Sequence, residues 1–243
     1  MIEFMHQPAK GGNNMTMDHP AQTEASDFVS NLLEEYFGER PSSVNVVIEA
    51  PFILIHLQGF LMPSEKNLLK RNEIKRITET RDLLLNTLKP EIQDRLQHIT
   101  RHEIEGVYAD WNLEKETGLF IAVMASDGAK GENYWPAEID RNALKNKIIE
   151  TSKKTQKEPD HTELYWLNHN LIVIKRLGIM VDIEKELIKN GVIDELRLAK
   201  RPLEHRLMDS AELKPIVNRD IIELFVDWDF EKDKAYLVLI LQE

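Results

Sequence analysis

Apolar residues along this chain change period several times, and each change predicts an element. In residues 27–37, DFVSNLLEEYF, Phe28, Leu32, Leu33 and Tyr36 recur at helical spacing. Gly38 and Pro41 then predict a stop. VNVVIEAPFILIHL reads as two strands around a bend at Glu49–Pro51, with Gly59 ending the second. Pro63 and Ser64 open a long helical segment, because Pro fits a first turn and Ser can cap. Its apolar stripe runs through Ile77, Leu84, Leu88, Ile92, Leu96 and Ile99, and Pro90 is where it would divide. GVYADWNL alternates: Val107, Ala109, Trp111 and Leu113 face one way, Tyr108, Asp110 and Asn112 the other. EKETG predicts a turn and LFIAVMA the returning strand.

The same order then recurs. IDRNALKNKIIETSKK reads as a helix, and TELYWL and NLIVIKRL as a strand pair around Asn168–Asn170. Asp182 can cap a helix carrying Ile188, Val192, Leu196, Leu203 and Leu207. DIIELFVDWDF and AYLVLIL read as a closing hairpin. Two hexapeptides fix the register: DWNLEK at 110–115 and DWDFEK at 227–232, 117 positions apart. Leu224, Val226, Trp228 and Phe230 match Val107, Ala109, Trp111 and Leu113 at that offset. Between earlier pieces the offset drifts by about two residues, as loop insertions would produce. Glu65–Lys66 recur as Glu184–Lys185 early in the corresponding helix.

The predicted fold class is therefore α+β: two tandem helix–strand–strand–helix–strand–strand domains, with antiparallel sheets packed by helices. The expected boundaries are a mobile tail at 1–26, a first domain at 27–126, a linker at 127–138 and a diverged second domain at 139–243. Tyr134 and Trp135 are expected to pack onto a neighbouring domain. Trp111 and Trp228 are expected to fill equivalent core positions. Asp110 and Asp227 point off the apolar side, so the expectation for them is solvation or a cross-strand pair with Lys rather than catalysis, which needs a desolvated cleft.

Composition narrows the chemistry. The 243 residues are 42% apolar, enough for packed cores, and contain no Cys, which removes thiolate nucleophiles, disulfides and Cys-ligated metals. A formal net charge of −11, without a basic module in either half, argues against nucleic acid as a partner. No stretch approaches the roughly 20 apolar residues of a membrane span, and the first residues lack a secretory pattern. The expectation is a cytoplasmic protein, peripheral at most to the inner face of a membrane.

The chemical motifs are thin. His98 and His102 are four apart, but the pattern is not HExxH, and the second copy has Pro215 and Arg219 there. GAKGE at 128–132 lacks a phosphate-loop pattern, and no GxSxG is present. No metal, cofactor or catalytic residue is assigned. Lys66, Lys70, Arg71, Lys75 and Arg76 form a basic run opposed by Glu65, Glu73 and Glu79, read as a solvated face or as a docking face for acidic groups or lipid head groups. Arg81 falls on the apolar stripe and must snorkel, pair with a carboxylate or meet an anion.

Several stretches of the first half carry a family resemblance. Gly38-Glu-Arg-Pro41, Leu61-Met-Pro-Ser-Glu65 with Leu68, Arg81, and Gly106-Val107 followed by Asp110 resemble motifs of the MpsC-like proteins. In the second half Gly106 is replaced by Glu223, and the Pro-Ser-Glu start by Asp182-Ile-Glu184. The resemblance implies association with a bacterial Na⁺-translocating, membrane-potential-generating system, whose membrane subunits are related to antiporter and inorganic-carbon uptake proteins. It brings no catalytic residues. The expected function is thus a non-catalytic accessory or regulatory protein acting through a protein partner, such as a membrane cation-translocation or inorganic-carbon uptake complex. The alternative is a sensor of a small anion or metabolite held between the repeats, with Arg81 near the anion. The interaction candidates are Glu65, Lys66, Lys70, Arg71, Arg81, Asp110 and Asp227. An enzyme would require Asp, Glu or His residues converging in a cleft. Oligomeric state stays open.

Overall fold

The computed structural model describes residues 18–125 and 134–242. The first unit contains α1 (Asp18–Phe37), β1 (Ser43–Glu49), β2 (Phe52–Gln58), α2 (Pro63–Leu69), α3 (Ile74–Thr100), β3 (Ile104–Asn112) and β4 (Thr117–Met124). The second contains α4 (Arg141–Ser152), β5 (His161–Trp166), β6 (Leu171–Leu177), α5 (Asp182–Lys189), α6 (Ile193–Asp209), α7 (Lys214–Val217), β7 (Ile221–Asp229) and β8 (Lys234–Leu241). Each unit folds its strands into one antiparallel four-stranded sheet, in the orders β1-β2-β4-β3 and β5-β6-β8-β7. The α+β architecture in two similar halves is the one the sequence predicts.

The backbone repeats down to its exceptions. Left-handed residues that end or turn elements recur in pairs: Gly59 with Gly178, Asn72 with Gly191, Arg101 with Asn218, and Glu116 with Asp233. The bulges at Ile104/Gly106 and Ile221/Glu223 are likewise equivalent. The offset is 119 for the first two pairs and 117 for the last two. The two-residue change falls where the single helix α3 is matched by α6, a break, and α7.

Several boundaries differ from the sequence expectation. The first helix begins at Asp18, so residues 18–26 belong to it rather than to a tail, and Ala25 sits in the core. Residues 1–17, and residues 126–133 of the expected linker, lie outside the described part. Trp135 packs edge-on against Trp166 at 5.6 Å within the second unit, whereas Tyr134 is exposed. The long helix from Pro63 breaks after Leu69, because Asn72 adopts φ 58°, a left-handed turn that no helix continues through. Pro90 leaves α3 unbroken; it lies on the exposed face, where water can take the hydrogen bond its ring removes.

Apolar residues form three layers. One lies between the first sheet and its helices, with Val29, Leu88 and Trp111; a second is its counterpart, with Leu144, Met208 and Trp228. The third lies between the sheets themselves, where Phe52, Leu54, Tyr108 and Ile121 meet Val173, Phe225, Tyr236 and Val238. The molecule is thus a helix–sheet–sheet–helix sandwich. Strands buried on both faces must be apolar at every position, which explains why β2 and β4 read as nearly unbroken apolar runs.

Candidate functional site

β3 and β7 are edge strands of their sheets, and an edge strand carries unpaired N–H groups. Here the two edges lie against each other, and the paired aspartates satisfy both. Asp110 accepts the Trp111 N–H at 2.8 Å and, across the seam, the Val226 N–H at 2.8 Å. Asp227 accepts the Trp228 N–H at 2.8 Å and the Ala109 N–H at 2.9 Å. Ala109 and Val226 are themselves equivalent, so the arrangement is a reciprocal clasp about a pseudo-two-fold axis. The Asp-Trp dipeptide follows from that: the indole fills the core on one face while the carboxylate ties the two edges together on the other.

This corrects the expectation that Asp110 and Asp227 are solvated. Their relative exposures are 0% and 1%, because the polar side of the strand faces the other sheet instead of water. The burial is compensated by cations on α6. Arg201 Nε lies 2.9 Å from Asp110, and the same guanidinium binds Asp82 of α3 through two hydrogen bonds of 3.0 and 3.1 Å. His205 Nε2 contacts Asp110 at 2.8 Å, and Arg197 binds Asp227. Burial pushes the Asp110 carboxyl up, but the His205 hydrogen bond and the Arg201 charge outweigh it and hold it below the usual range. Burial pulls His205 down, but its hydrogen bond and charge interaction with Asp110 win, and its pKa is raised. Further bridges join the units: His56 to Glu223 at 2.8 Å, Tyr108 Oη to Asp229 at 2.9 Å, and Lys234 to Glu105 at 2.8 Å.

The other expected residues fall into two groups. Glu65 and Arg81 form a buried bidentate pair, at 2.7 and 2.6 Å, while Glu65 also accepts the Met62 N–H that opens α2. The Arg81 guanidinium lies over Trp111, 4.5 Å from the ring centroid, and donates to the Phe60 carbonyl. The second unit repeats this with Glu184, which accepts the Val181 N–H and binds Lys200 at 2.5 Å. Arg81 is thus the pairing option of the sequence reading, fully buried in its own unit rather than placed at an anion between the repeats. Lys66, Lys70 and Arg71 are exposed at the α2–α3 corner; Lys66 pairs with Glu116 at 3.2 Å, whereas Lys70 and Arg71 make no ion pair among the described residues. His98 and His102 are separated by the helix-ending Arg101, and no His/Cys/Asp/Glu group suited to a metal occurs among the described residues. GAKGE lies outside the described residues.

Sequence reading missed Arg197, Arg201 and His205. They stand four apart on α6, a cationic line on a helix that packs against β7. The test applied to Arg81, a charge lying on the apolar stripe, finds its equivalent Lys200 between Leu196 and Leu203, but not these three.

Beside this seam a cleft of about 610 Å³ opens between the units. The start of α3, the end of β3 and the middle of α6 line it, including Ile74, Trp111, Leu198, Pro202 and Arg206. Arg201 and His205 reach it from the seam.

No helix among the described residues is long and apolar enough to cross a membrane. No curated protein and no solved structure matches the chain. Residues 19–126 match the model of one family, described as MpsC, the Na⁺-translocating membrane potential-generating system. That span coincides with the first structural unit, which is the part of the chain that matches this family model, and a second unit of the same architecture follows it.

Proposed function

We propose that the chain is a non-catalytic accessory protein that docks on a protein component of a Na⁺-translocating, membrane-potential-generating system, at the cytoplasmic face of the membrane. The observation that carries this reading is the family match over the first unit. The geometry is compatible with it. Asp110 and Asp227 are engaged in the clasp with Arg201, His205 and Arg197, and Glu65 in a buried pair with Arg81, rather than left open to a substrate. The α2–α3 corner offers a contact surface: Lys70 and Arg71 are exposed there beside Ile74, which is 45% exposed. An acidic, partly apolar loop of a membrane subunit would complement it.

The test is affinity capture with the intact chain from membranes of the source cell in mild detergent, compared with Lys70→Glu/Arg71→Glu. Recovery of membrane-transport subunits by the parent chain, with at least a tenfold loss in the double variant, supports the reading. Capture that is free of membrane proteins contradicts it.

A further inference from the structure

The residues that line the cleft beside the seam have equivalents in the other unit, and the two sets have diverged in charge. At the cleft, α3 contributes Lys75 and Thr78, and α6 contributes Arg201, His205 and Arg206. The equivalent positions, 119 residues away, carry Asp194 and Arg197 on α6 and Asp82, Asn86 and Thr87 on α3. The cleft thus carries Lys75, Arg201, His205 and Arg206 with one acid, Glu114, where the equivalent set carries one cation, Arg197, and the acids Asp194, Asp82 and Glu231. Within the cleft Arg201 is already held by Asp82 and Asp110, and Lys75 pairs with Glu79 at 3.5 Å. The equivalent set also carries larger side chains: Arg197 stands for Thr78 and Phe230 for Leu113, with the Arg197 guanidinium 5.1 Å over the Phe230 ring. Arg206 makes no ion pair among the described residues, although it stands at the rim of a cleft otherwise walled by Ile74, Trp111, Leu198 and Pro202. An unneutralised cation beside an apolar wall matches a ligand with one charged end and one apolar end.

We infer that this cleft is a binding site for a small amphipathic anion. The apolar body lies against Trp111, Ile74, Leu198 and Pro202, and a carboxylate or phosphate meets Arg206 and Lys75. Because Arg201 and His205 also hold Asp110, an occupant reaches the network that clasps the two units. Occupancy therefore stabilises the assembled pair by linkage. The cleft shares Ile74 with the α2–α3 corner proposed for partner docking, but docking is tested at Lys70 and Arg71 and the cleft at Arg206 and Leu198, so affinity capture can fail without affecting this inference.

The experiment is isothermal titration of the full chain with three probes: decanoate, decanol and acetate. The expected result is saturable binding of decanoate at one site per chain, with decanol and acetate at least tenfold weaker. Arg206→Glu weakens decanoate at least tenfold, and Leu198→Trp, which fills the half-buried wall, abolishes it; both keep the parent urea midpoint. Vesicles containing anionic lipid form a second arm. Binding to them that is lost in Arg206→Glu assigns the anion to a membrane lipid, and its absence assigns a free metabolite. The inference is overturned by no saturable decanoate binding, by equal binding in Arg206→Glu, or by acetate or decanol matching decanoate.

Discussion

Replacing Asp110 with Asn tests the clasp with a minimal change of shape. The carboxylate receives two backbone N–H groups, His205 and Arg201, all within 2.8–2.9 Å. Asn keeps one acceptor oxygen and presents an NH₂ group to the other partners. One buried N–H, on Trp111 or Val226, then loses its acceptor, at about 1–3 kcal/mol. Arg201 also loses one of its two carboxylates while remaining buried. Breaking a buried pair by removing one partner costs about 3–5 kcal/mol, and Asp82, still holding Arg201, keeps the loss toward the lower end of that range. The expected total is a loss of roughly 4–6 kcal/mol, read by urea unfolding near neutral pH. The pH dependence sharpens the test. His205 has its pKa raised in the folded state, so its contribution is complete below the unfolded value of about 6.5 and fades as pH rises through the folded value. The parent chain should lose stability above that point, and Asp110→Asn should lose less, because the partner that raises His205 has gone. Asp110 acts in the opposite range: its folded pKa is lowered, so its contribution is present above the unfolded value and lost on acidification. A loss under about 1 kcal/mol, or a parent-like alkaline slope in the variant, would refute the reasoning.

Other outcomes follow from the same contacts. Arg81→Ala leaves Glu65 buried and unpaired and should destabilise by about 3–5 kcal/mol in urea unfolding, whereas Arg81→Lys, the residue type the second unit uses at position 200, should cost clearly less. Gly118→Val should displace Trp111, because a Cβ there would meet the indole at 2.4 Å; a red shift in tryptophan emission with a lower melting temperature is expected. Lys89 has its pKa lowered to about 8, by burial first and by Arg197 next. Its folded pKa lies below the unfolded one, so stability should rise with pH between about 8 and 10.5, and Lys89→Met should flatten that rise.

Much of the fold was legible because the duplication sampled each signal twice. The Asp-Trp register, the alternation of β3 and β7, and the helix starts at Glu65 and Glu184 agree between copies and with the observed elements. The burial of Asp110 was not legible from its own strand. A polar residue opposite the core-facing Trp ordinarily meets water, and only the second sheet changes that. The sign of that second sheet lay elsewhere: FILIHL in β2 and LFIAVM in β4 are apolar at alternate and intervening positions alike, which a one-sided sheet does not require. The cationic partners on α6 were hidden for a related reason. Periodicity records which residues share a helix face, and what that face meets is set by the packing of the units.

The clasp itself can be observed at two amides. In the parent chain the N–H groups of Ala109 and Val226, though on edge strands, should exchange with solvent deuterium as slowly as interior sheet amides, because Asp227 and Asp110 hold them. In Asp227→Ala, which leaves no acceptor, the Ala109 amide should exchange far faster while an interior amide such as Ile121 stays protected. Fast exchange of both edge amides in the parent chain, or an Ala109 rate unchanged by Asp227→Ala, would contradict the claim that paired aspartates join the two units.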